Sequence, residues 1–265
     1  MPASASPGPT ATVSESLRLY ALDGIPLIEP GDDIVAPILA AAERAAGGFI
    51  DGDLLVVAQK IVSKAENRYV DLRDVTASAE AERLAPLADK DPRLIEVILR
   101  ESVAVLRQRP GALIVEHRLG YVHANAGVDR SNVADPNRVL LLPEDPDASA
   151  RALRCGLREA TGRDVCVIIN DSAGRAWRNG ITGFAIGSAG FRPVVNRIGQ
   201  PDLFGRLLEM TEVAVADELA AAASFLMGQA DEGIPAVLVR GARLESSEEG
   251  MRALIRDPAK DLFRR

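Results

Sequence analysis

Residues 165–190, VCVIINDSAGRAWRNGITGFAIGSAG, constrain this chain more than any other stretch. The opening run, residues 165–169, is apolar and rich in β-branched side chains, the pattern of a strand buried in a sheet. The run is expected to stop at Asn170, Asp171 and Ser172. That would leave a carboxylate and a hydroxyl at the C-terminal end of a buried strand, where open α/β sheets keep their ligands. Arg175 and Arg178 follow, then Gly180, Gly183, Gly187 and Gly190, which allow close approach of backbone or ligand. An acid, two guanidiniums and a glycine-rich tract suit a metal and a phosphate. A helix cap at Asp171 with loop glycines behind it accounts for the same residues.

The rest of the chain reads as alternating strands and helices, hence an α/β protein. A short strand is expected over residues 17–22 and a turn at Pro30-Gly31. Asp32 or Asp33 should cap a helix through Ile38, Leu39, Ala42 and Ala46, with Gly47-Gly48 ending it. Asp51-Gly52-Asp53 turns into a second buried strand, residues 54–58. Residues 59–64, QKIVSK, then start a helix with Lys60 and Lys64 on one face. A solvated lysine pair and a phosphate contact both fit that spacing. Residues 76–106 read as two helices parted at Asp91-Pro92, the second carrying Leu94, Ile95, Ile98, Val103 and Leu106. Residues 112–116 and 119–124 form a hairpin through Gly120.

Residues 125–132, NAGVDRSN, place Asn, Asp and Ser side chains on a turn just past a strand, as oxygen donors for a cation or as helix caps. Asp147 or Ser149 should cap a helix that ends at Gly162. Beyond Gly190 come a short strand at Val194-Val195 and a polar loop with Asp202, Gly205 and Arg206. A long helix is expected over residues 211–227, with Asp217-Glu218 on its solvated side. A flexible acidic loop over residues 228–233, a last strand over 236–240 and a charged helical tail over 248–265 complete the chain. Residues 1–16, rich in Pro, Ser, Ala and Thr, read as a disordered tail. They lack the charged and apolar regions of a signal peptide. Residues 17–265 show no composition shift that would divide them, whether they form one unit or two subdomains.

The chain has 265 residues, 47% of them hydrophobic and 4% aromatic, so the core must be built from Ala, Val, Leu and Ile. A net charge of -7 argues against a duplex nucleic-acid partner, which calls for a basic face. A local Arg/Lys cluster can still hold phosphate on an acidic protein. Cys155 and Cys166 are the only cysteines, eleven apart, and indicate neither a zinc site nor a disulfide framework. His117 and His123 are the only histidines, so a metal here is expected to be a hard cation on oxygen ligands. No apolar run reaches the roughly 18 residues of a membrane span, and a cytoplasmic location is the default expectation.

No GxxxxGK[ST] or GxGxxG fingerprint is present, so neither a P-loop nor a Rossmann dinucleotide site is expected. What remains is a set of polar segments, each behind an apolar strand. Lys60 and Lys64 could meet phosphates, Asp129 and Asp171 could share a divalent cation, and Ser172 could add a hydroxyl. Phosphoryl transfer asks for little beyond such positioning and charge neutralisation.

Six segments taken together, GIPLIEPGDD (24–33), DGDLLVVAQKIVSKAENR (51–68), NAGVDRSNV (125–133), LLPEDPDASA (141–150), VIINDSAGRAWRNGITGFAIGSAG (167–190) and VADELAAAASFLMGQADEGIPAVLVRG (215–241), resemble the coenzyme F420-0:L-glutamate ligases, also called γ-glutamyl ligases. Some members of that family carry a second, nitroreductase-like domain. This chain resembles the ligase part only. The resemblance implies a family-specific mixed-sheet α/β fold assembled as an intertwined homodimer. It implies a GTP-dependent ligase that adds L-glutamate to coenzyme F420-0 through an acyl phosphate, with Mn²⁺ or Mg²⁺ and K⁺. Nucleotide contacts would fall on Ile25, Pro26, Leu27 and Ile28, on Gln59, Lys60 and Lys64, on Asn132, and on the loop of Met227, Gly228, Gln229, Ala230, Asp231, Glu232, Gly233 and Ile234. Asp129 and Asp171 would hold one metal ion and Ser172 a second.

One position departs from the pattern. The family's carboxylate for the second metal aligns with Gln229, whose amide oxygen can ligate a hard cation but brings no charge. Asp231 or Glu232 could replace it. Arg175 and Arg178, as catalytic candidates, are assigned from the residues themselves to an anionic substrate group. No residue stands out as the base for the amine proton. Two other readings fit the same motifs: a ligase acting on a different acceptor such as a folate, and a nucleotide-binding regulator without catalysis. The presence of Asp129, Asp171 and Lys64 argues for an enzyme, and Gln229 keeps the regulator open.

Overall fold

A computed structural model of the chain describes residues 16–262. The tail expected over residues 1–16 lies outside them except for Ser16. β1 (Arg18–Ala21) opens the fold, and a loop leads to α1 (Val35–Ala46). The N-cap position falls on Ile34 and carries no side-chain cap bond, in place of the expected Asp32 or Asp33; the Asp33 carboxylate, one residue earlier, accepts the Val35 N–H at 2.8 Å. Gly47, at φ +69°, closes the helix. β2 (Leu54–Ala58) runs directly into α2 (Gln59–Ala65). β3 (Tyr69–Asp71), α3 (Ala79–Ala88) and α4 (Pro92–Arg100) follow, with Asp91 capping α4 and Pro92 at its first position.

The second helix expected through Leu106 ends at Arg100. Val103 and Leu106 lie instead on β4 (Ser102–Arg109), paired antiparallel with β5 (Ala112–His117), which pairs with β6 (Val122–Ala124). β-Branched Val103 and Val105 suit a strand, and the available partner β5 overrides the helical spacing. After β7 (Arg138–Leu140) comes α5 (Pro146–Thr161). Its cap is Asp145, not Asp147 or Ser149. Pro146 fits the first helical turn, and Asp145 accepts the Ala148 N–H at 2.9 Å. Asp147 is used elsewhere, accepting from Ser188 N at 2.8 Å and Met251 N at 3.0 Å.

The central stretch also differs from expectation. The strand does not stop at Asn170: β8 (Cys166–Arg175) continues through Asp171 and Ser172 and turns into β9 (Arg178–Ala189). The glycine-rich tract is therefore a strand. Two of its glycines serve close packing, because a Cβ on Gly183 would stand 2.6 Å from the Ala220 carbonyl oxygen and one on Gly187 would stand 2.4 Å from that of Pro146. β10 (Val195–Asn196) pairs with β11 (Glu212–Val213), which delays the long helix: α6 is Val215–Met227, not residues 211–227. β12 (Ala236–Arg240) is the last strand. Among its described residues the tail forms two short 3₁₀ turns, Met251–Leu254 and Pro258–Lys260, in place of a continuous helix.

The main sheet has the order β1-β12-β2-β8-β9, with β2 and β8 parallel and the other pairs antiparallel. Alternation along its strands serves two cores. Leu55, Val57, Val167, Ile169 and Leu238 pack with Ile38 and Ala42 of α1 and Leu153 and Leu157 of α5. Leu54, Val56, Ile168, Val237 and Val239 pack with Ala216, Leu219, Ala220 and Ala223 of α6. A sheet covered on both faces needs strands without polar positions, which is why β2 and β12 read as near-continuous apolar runs. A third core, separate from these, joins α3 and α4 to β5 through Leu84, Ile95, Ile98, Leu113 and Val115. The protein is thus mixed α/β with mixed sheets.

Candidate functional site

Strand direction gathers the candidate segments at one end of the sheet. β1 and β2 both run antiparallel to β12, and β2 runs parallel to β8. The C-terminal ends of β1, β2 and β8 and the N-terminal end of β12 therefore share one edge. The loop with Ile25, Pro26, Leu27 and Ile28 leaves β1 there. Lys60 and Lys64 leave β2 there on α2, and Ala58 at the end of β2 pairs with Asn170, next to Asp171. The loop from Gly228 to Ile234 enters β12 there. Open α/β sheets bind ligands outside such strand ends.

Asp129 reaches this edge from another part of the fold. Its backbone exchanges hydrogen bonds with Leu140, at 2.9 and 2.8 Å. Its Oδ2 lies 2.7 Å from Lys60 Nζ, and its Oδ1 accepts the Ser131 N–H at 2.7 Å. Lys60 also donates to Ser131 Oγ at 2.7 Å. Burial opposes ionisation of Asp129, but the bonds from Lys60 and Ser131 outweigh it and hold the carboxyl below its ordinary range. Asp171 behaves in the opposite way. Burial first, and then the Asp129 carboxylate, push its carboxyl up to about 7 against the opposing pull of Lys60. Burial and the Lys60 charge lower the Lys64 ammonium, while Glu29 and Asp129 work to raise it. Lys60, Lys64, Asp129 and Asp171 thus form one electrostatically coupled cluster drawn from three segments. Sequence reasoning gives no role to Glu29 and reads Ser131 only as an oxygen donor or cap; only the fold brings them to these lysines.

The other candidates fall into distinct places. Leu27 is exposed and Ile28 buried, and Gly31 N donates to Ala65 O at 2.9 Å, so their loop lies against the end of α2. Gln59 is buried with its amide oxygen taken by Ser63 Oγ, and Met227 belongs to the core beneath α6. Asn132 is exposed at the turn beside Ser131, with φ +54°. Strand alternation puts Asp171 on the face of Val167 and Ile169, and Ser172 on the face of Ile168 and α6. The two sides of β8 therefore carry the two expected metal positions separately.

Gln229 donates its amide to Ser224 Oγ at 2.9 Å, on the Ser172 side. Glu232 folds back on its own loop: Oε2 accepts the Ala230 N–H at 2.8 Å, and backbone N–H groups lower its pKa. Among the two loop carboxylates proposed to replace the missing one, Glu232 is therefore committed to the loop itself. Arg175 and Arg178 stand at the exposed tip of the β8–β9 hairpin, at the end of β8 beyond Asp171. Asp217 is not solvated as expected. It is half-buried and accepts the Ala185 N–H at 2.9 Å, and burial raises its carboxyl.

The class the structure defines is a mixed α/β protein with lysines and oxygen donors gathered at the carboxyl end of its main sheet. The F420-0:Gamma-glutamyl ligase family matches residues 24–241, and the chain belongs to that family. It is 47% identical to the coenzyme F420:L-glutamate ligase of Methanothermobacter thermautotrophicus over 251 residues, 94% of this chain and 99% of that protein. It is 48% identical to the like-named protein of Methanopyrus kandleri over 92% of this chain and 97% of that one. With that of Archaeoglobus fulgidus it shares 42% identity over 94% and 97%. No helix among the described residues is long and apolar enough to cross a membrane.

Proposed function

We propose that this protein is a GTP-dependent ligase that joins L-glutamate to coenzyme F420-0 by an amide bond and then extends the tail by γ-linkage. The names of relatives that match it along nearly their whole length support the substrates. The observation that carries the chemistry is the coupled cluster of Lys60, Lys64, Asp129 and Asp171 at the carboxyl edge of the sheet. An acceptor carboxylate oxygen attacks the γ-phosphorus of GTP, the bond to the β-phosphate oxygen breaks, and GDP leaves. The glutamate amine attacks the resulting acyl carbon, phosphate departs with the acyl oxygen, and the amine gives up a proton. Lys60 and Lys64 balance the charge of the triphosphate and of the transferring group.

Asp129 and Asp171 fit a hard cation. Both are oxygen ligands, and a carboxyl held partly protonated by burial and a neighbouring carboxylate is a group that a dication would ionise. When bound there, Mg²⁺ or Mn²⁺ supplies further neutralisation of phosphate charge. Ser172 and Gln229 would serve a second ion across the strand, and K⁺ would complete the set. We place the enzyme in the cytoplasm, as a homodimer. The arm between β10 and β11 supports the dimer, because Leu203, Phe204, Leu207 and Met210 are all exposed on it, Leu203 at 99%. The direct test is whether the purified protein consumes GTP only when F420-0 and L-glutamate are both present.

Two substitutions probe the parts. Lys64→Met is expected to weaken GTP binding by about 1–3 kcal/mol, the range of a hydrogen bond to a charged group. Unchanged affinity in calorimetry would make Lys64 a solvated lysine without a phosphate role. Gln229→Glu restores a carboxylate near Ser172 and is expected to lower the Mg²⁺ or Mn²⁺ concentration needed for half-maximal glutamylation. Stability should stay within about 0.5 kcal/mol, since the loop is exposed. Coincident metal titrations would shift the second ligand to Asp231.

A further inference from the structure

A cavity of about 310 Å³ opens beside the β8–β9 hairpin, enclosed by the β5–β6 turn, the start of α6 and the C-terminal segment. Its floor is apolar, formed by Tyr121, Phe184, Met251, Leu254 and Ile255. Its walls carry Arg175, Arg256, Asp217, Asp261 and His123. His123 is only 6% exposed, and its Nε2 has no hydrogen-bond partner. The buried Tyr121 hydroxyl oxygen has none either. Buried polar atoms without partners are costly, and both side chains line this cavity. Burial, with His117 adding to it, pushes the His123 imidazole down to about 4, so it is neutral near pH 7.

The cavity adjoins the Asp171 side of the site. Ala173 and Arg175, two and four residues beyond Asp171, keep its face of β8. Asp171 pairs across the hairpin with Phe184 of the cavity floor. The Asp171 charge also acts on the Tyr121 hydroxyl, helping burial to raise its pKa. A molecule in the cavity would thus lie next to the place where the phosphoryl group is transferred.

We propose that this cavity binds L-glutamate, the incoming amino acid, an assignment that rests on the ligase reading above. Arg175 takes a carboxylate, one oxygen of Asp217 takes the ammonium, and the apolar floor carries the methylenes. Arg175 spends one N–H on the Gly180 carbonyl at 3.3 Å, and a guanidinium has five. Asp217 accepts the Ala185 N–H through Oδ1 only, which leaves Oδ2 for a cation. Arg256 and Asp261 on the same walls balance in formal charge, which leaves Arg175 and Asp217 as the pair the ligand meets. A short chain with two carboxylates and one ammonium matches this pattern. An acceptor that is anionic throughout would set its charge against Asp217.

The test is saturation-transfer NMR of L-glutamate on the purified protein with GDP and Mg²⁺ present, alongside glutamylation kinetics. Saturation of the glutamate methylenes is expected with the parent protein and should weaken at least about 10-fold in Arg175→Gln. Glutarate, which lacks the ammonium, should bind more weakly than glutamate. Asp217→Asn should narrow that difference, which a merely structural role for Asp217 would not do. The KM for GTP should stay within about twofold in both variants. No glutamate saturation on the parent, or saturation that Arg175→Gln leaves intact, would overturn the assignment. So would a variant that loses F420-0 binding while glutamate still binds, since the cavity would then belong to the acceptor. Glutamate binding that depends on Arg175 in a protein without GTP-dependent turnover would instead overturn the ligase reading and leave the cavity assignment standing.

Discussion

Asp171→Asn is expected to reduce metal-dependent GTP turnover by ~100-fold or more, the scale seen when a preorganised charge-stabilising group is lost from an active site. The same change should stabilise the metal-free protein. In the folded state the Asp171 carboxyl lies at about 7, above its ordinary 3.8, because burial and Asp129 disfavour the charged form. Between these values the folded protein binds more protons than the unfolded chain, so stability falls as pH rises through that window. Below about pH 4 both states are protonated and the group contributes nothing. Above pH 7 the full penalty, on the order of a few kcal/mol, is present. Asn carries no charge, so the variant should melt higher than the parent at pH 8 and alike near pH 4. Adding Mg²⁺ at pH 8 should raise the melting temperature of the parent and not that of the variant. Thermal melts at both pH values with and without Mg²⁺, beside turnover at saturating Mn²⁺, separate the outcomes. Near-parent turnover would remove Asp171 from the metal site.

The strands of the main sheet were legible because burial on both faces leaves an apolar run in the sequence, as at Leu54–Ala58 and Ala236–Arg240. Residues 165–175 were only half legible. The apolar run identifies the strand, but polar Asn170, Asp171 and Ser172 mask its continuation, which depends on pairing with β9, whose glycines do not read as a strand. Val103 and Leu106 were misplaced for the same reason: their spacing suits a helix, and pairing with β5 decides otherwise. The cap of α5 is Asp145 and not Asp147 or Ser149, although all three suit a cap locally; Pro146 and the distant partners of Asp147 settle the choice. Within the site, Lys60 and Lys64 were legible as a pair from their spacing. The Lys60–Asp129 contact joins residues 69 apart and has no local signature. The cavity with His123 and Tyr121 was not legible at all, since nothing in a histidine near a strand end shows that its nitrogen will be buried without a partner.

Arg240→Met is expected to lower the unfolding free energy by about 3–5 kcal/mol, because it leaves a buried carboxylate unpaired. Asp53, at the turn into β2, is 1% exposed. Its oxygens receive Arg240 Nε at 2.9 Å and Nη2 at 2.7 Å, and Oδ2 also accepts the Ile50 N–H at 2.9 Å. The same guanidinium donates to the carbonyls of Ala46 at 3.2 Å and Gly48 at 2.8 Å and lies over the Tyr20 ring. One side chain therefore ties β12 to β1, to the end of α1 and to the turn before β2. Arg240→Lys should recover only part of the loss, since an ammonium cannot form the paired bonds to Asp53 and reach both carbonyls. Asp53→Leu with Arg240→Met should be more stable than Arg240→Met alone, since it removes the stranded charge. The pair sits at the end of the sheet opposite the lysine cluster, because Arg240 closes β12 while the Gly228–Ile234 loop opens it. GTP affinity per folded molecule should therefore match the parent. Urea titrations of the three variants measure the first effect, and calorimetry at low temperature measures the second. A loss below about 1 kcal/mol in Arg240→Met would mean that water reaches Asp53 once the guanidinium is gone.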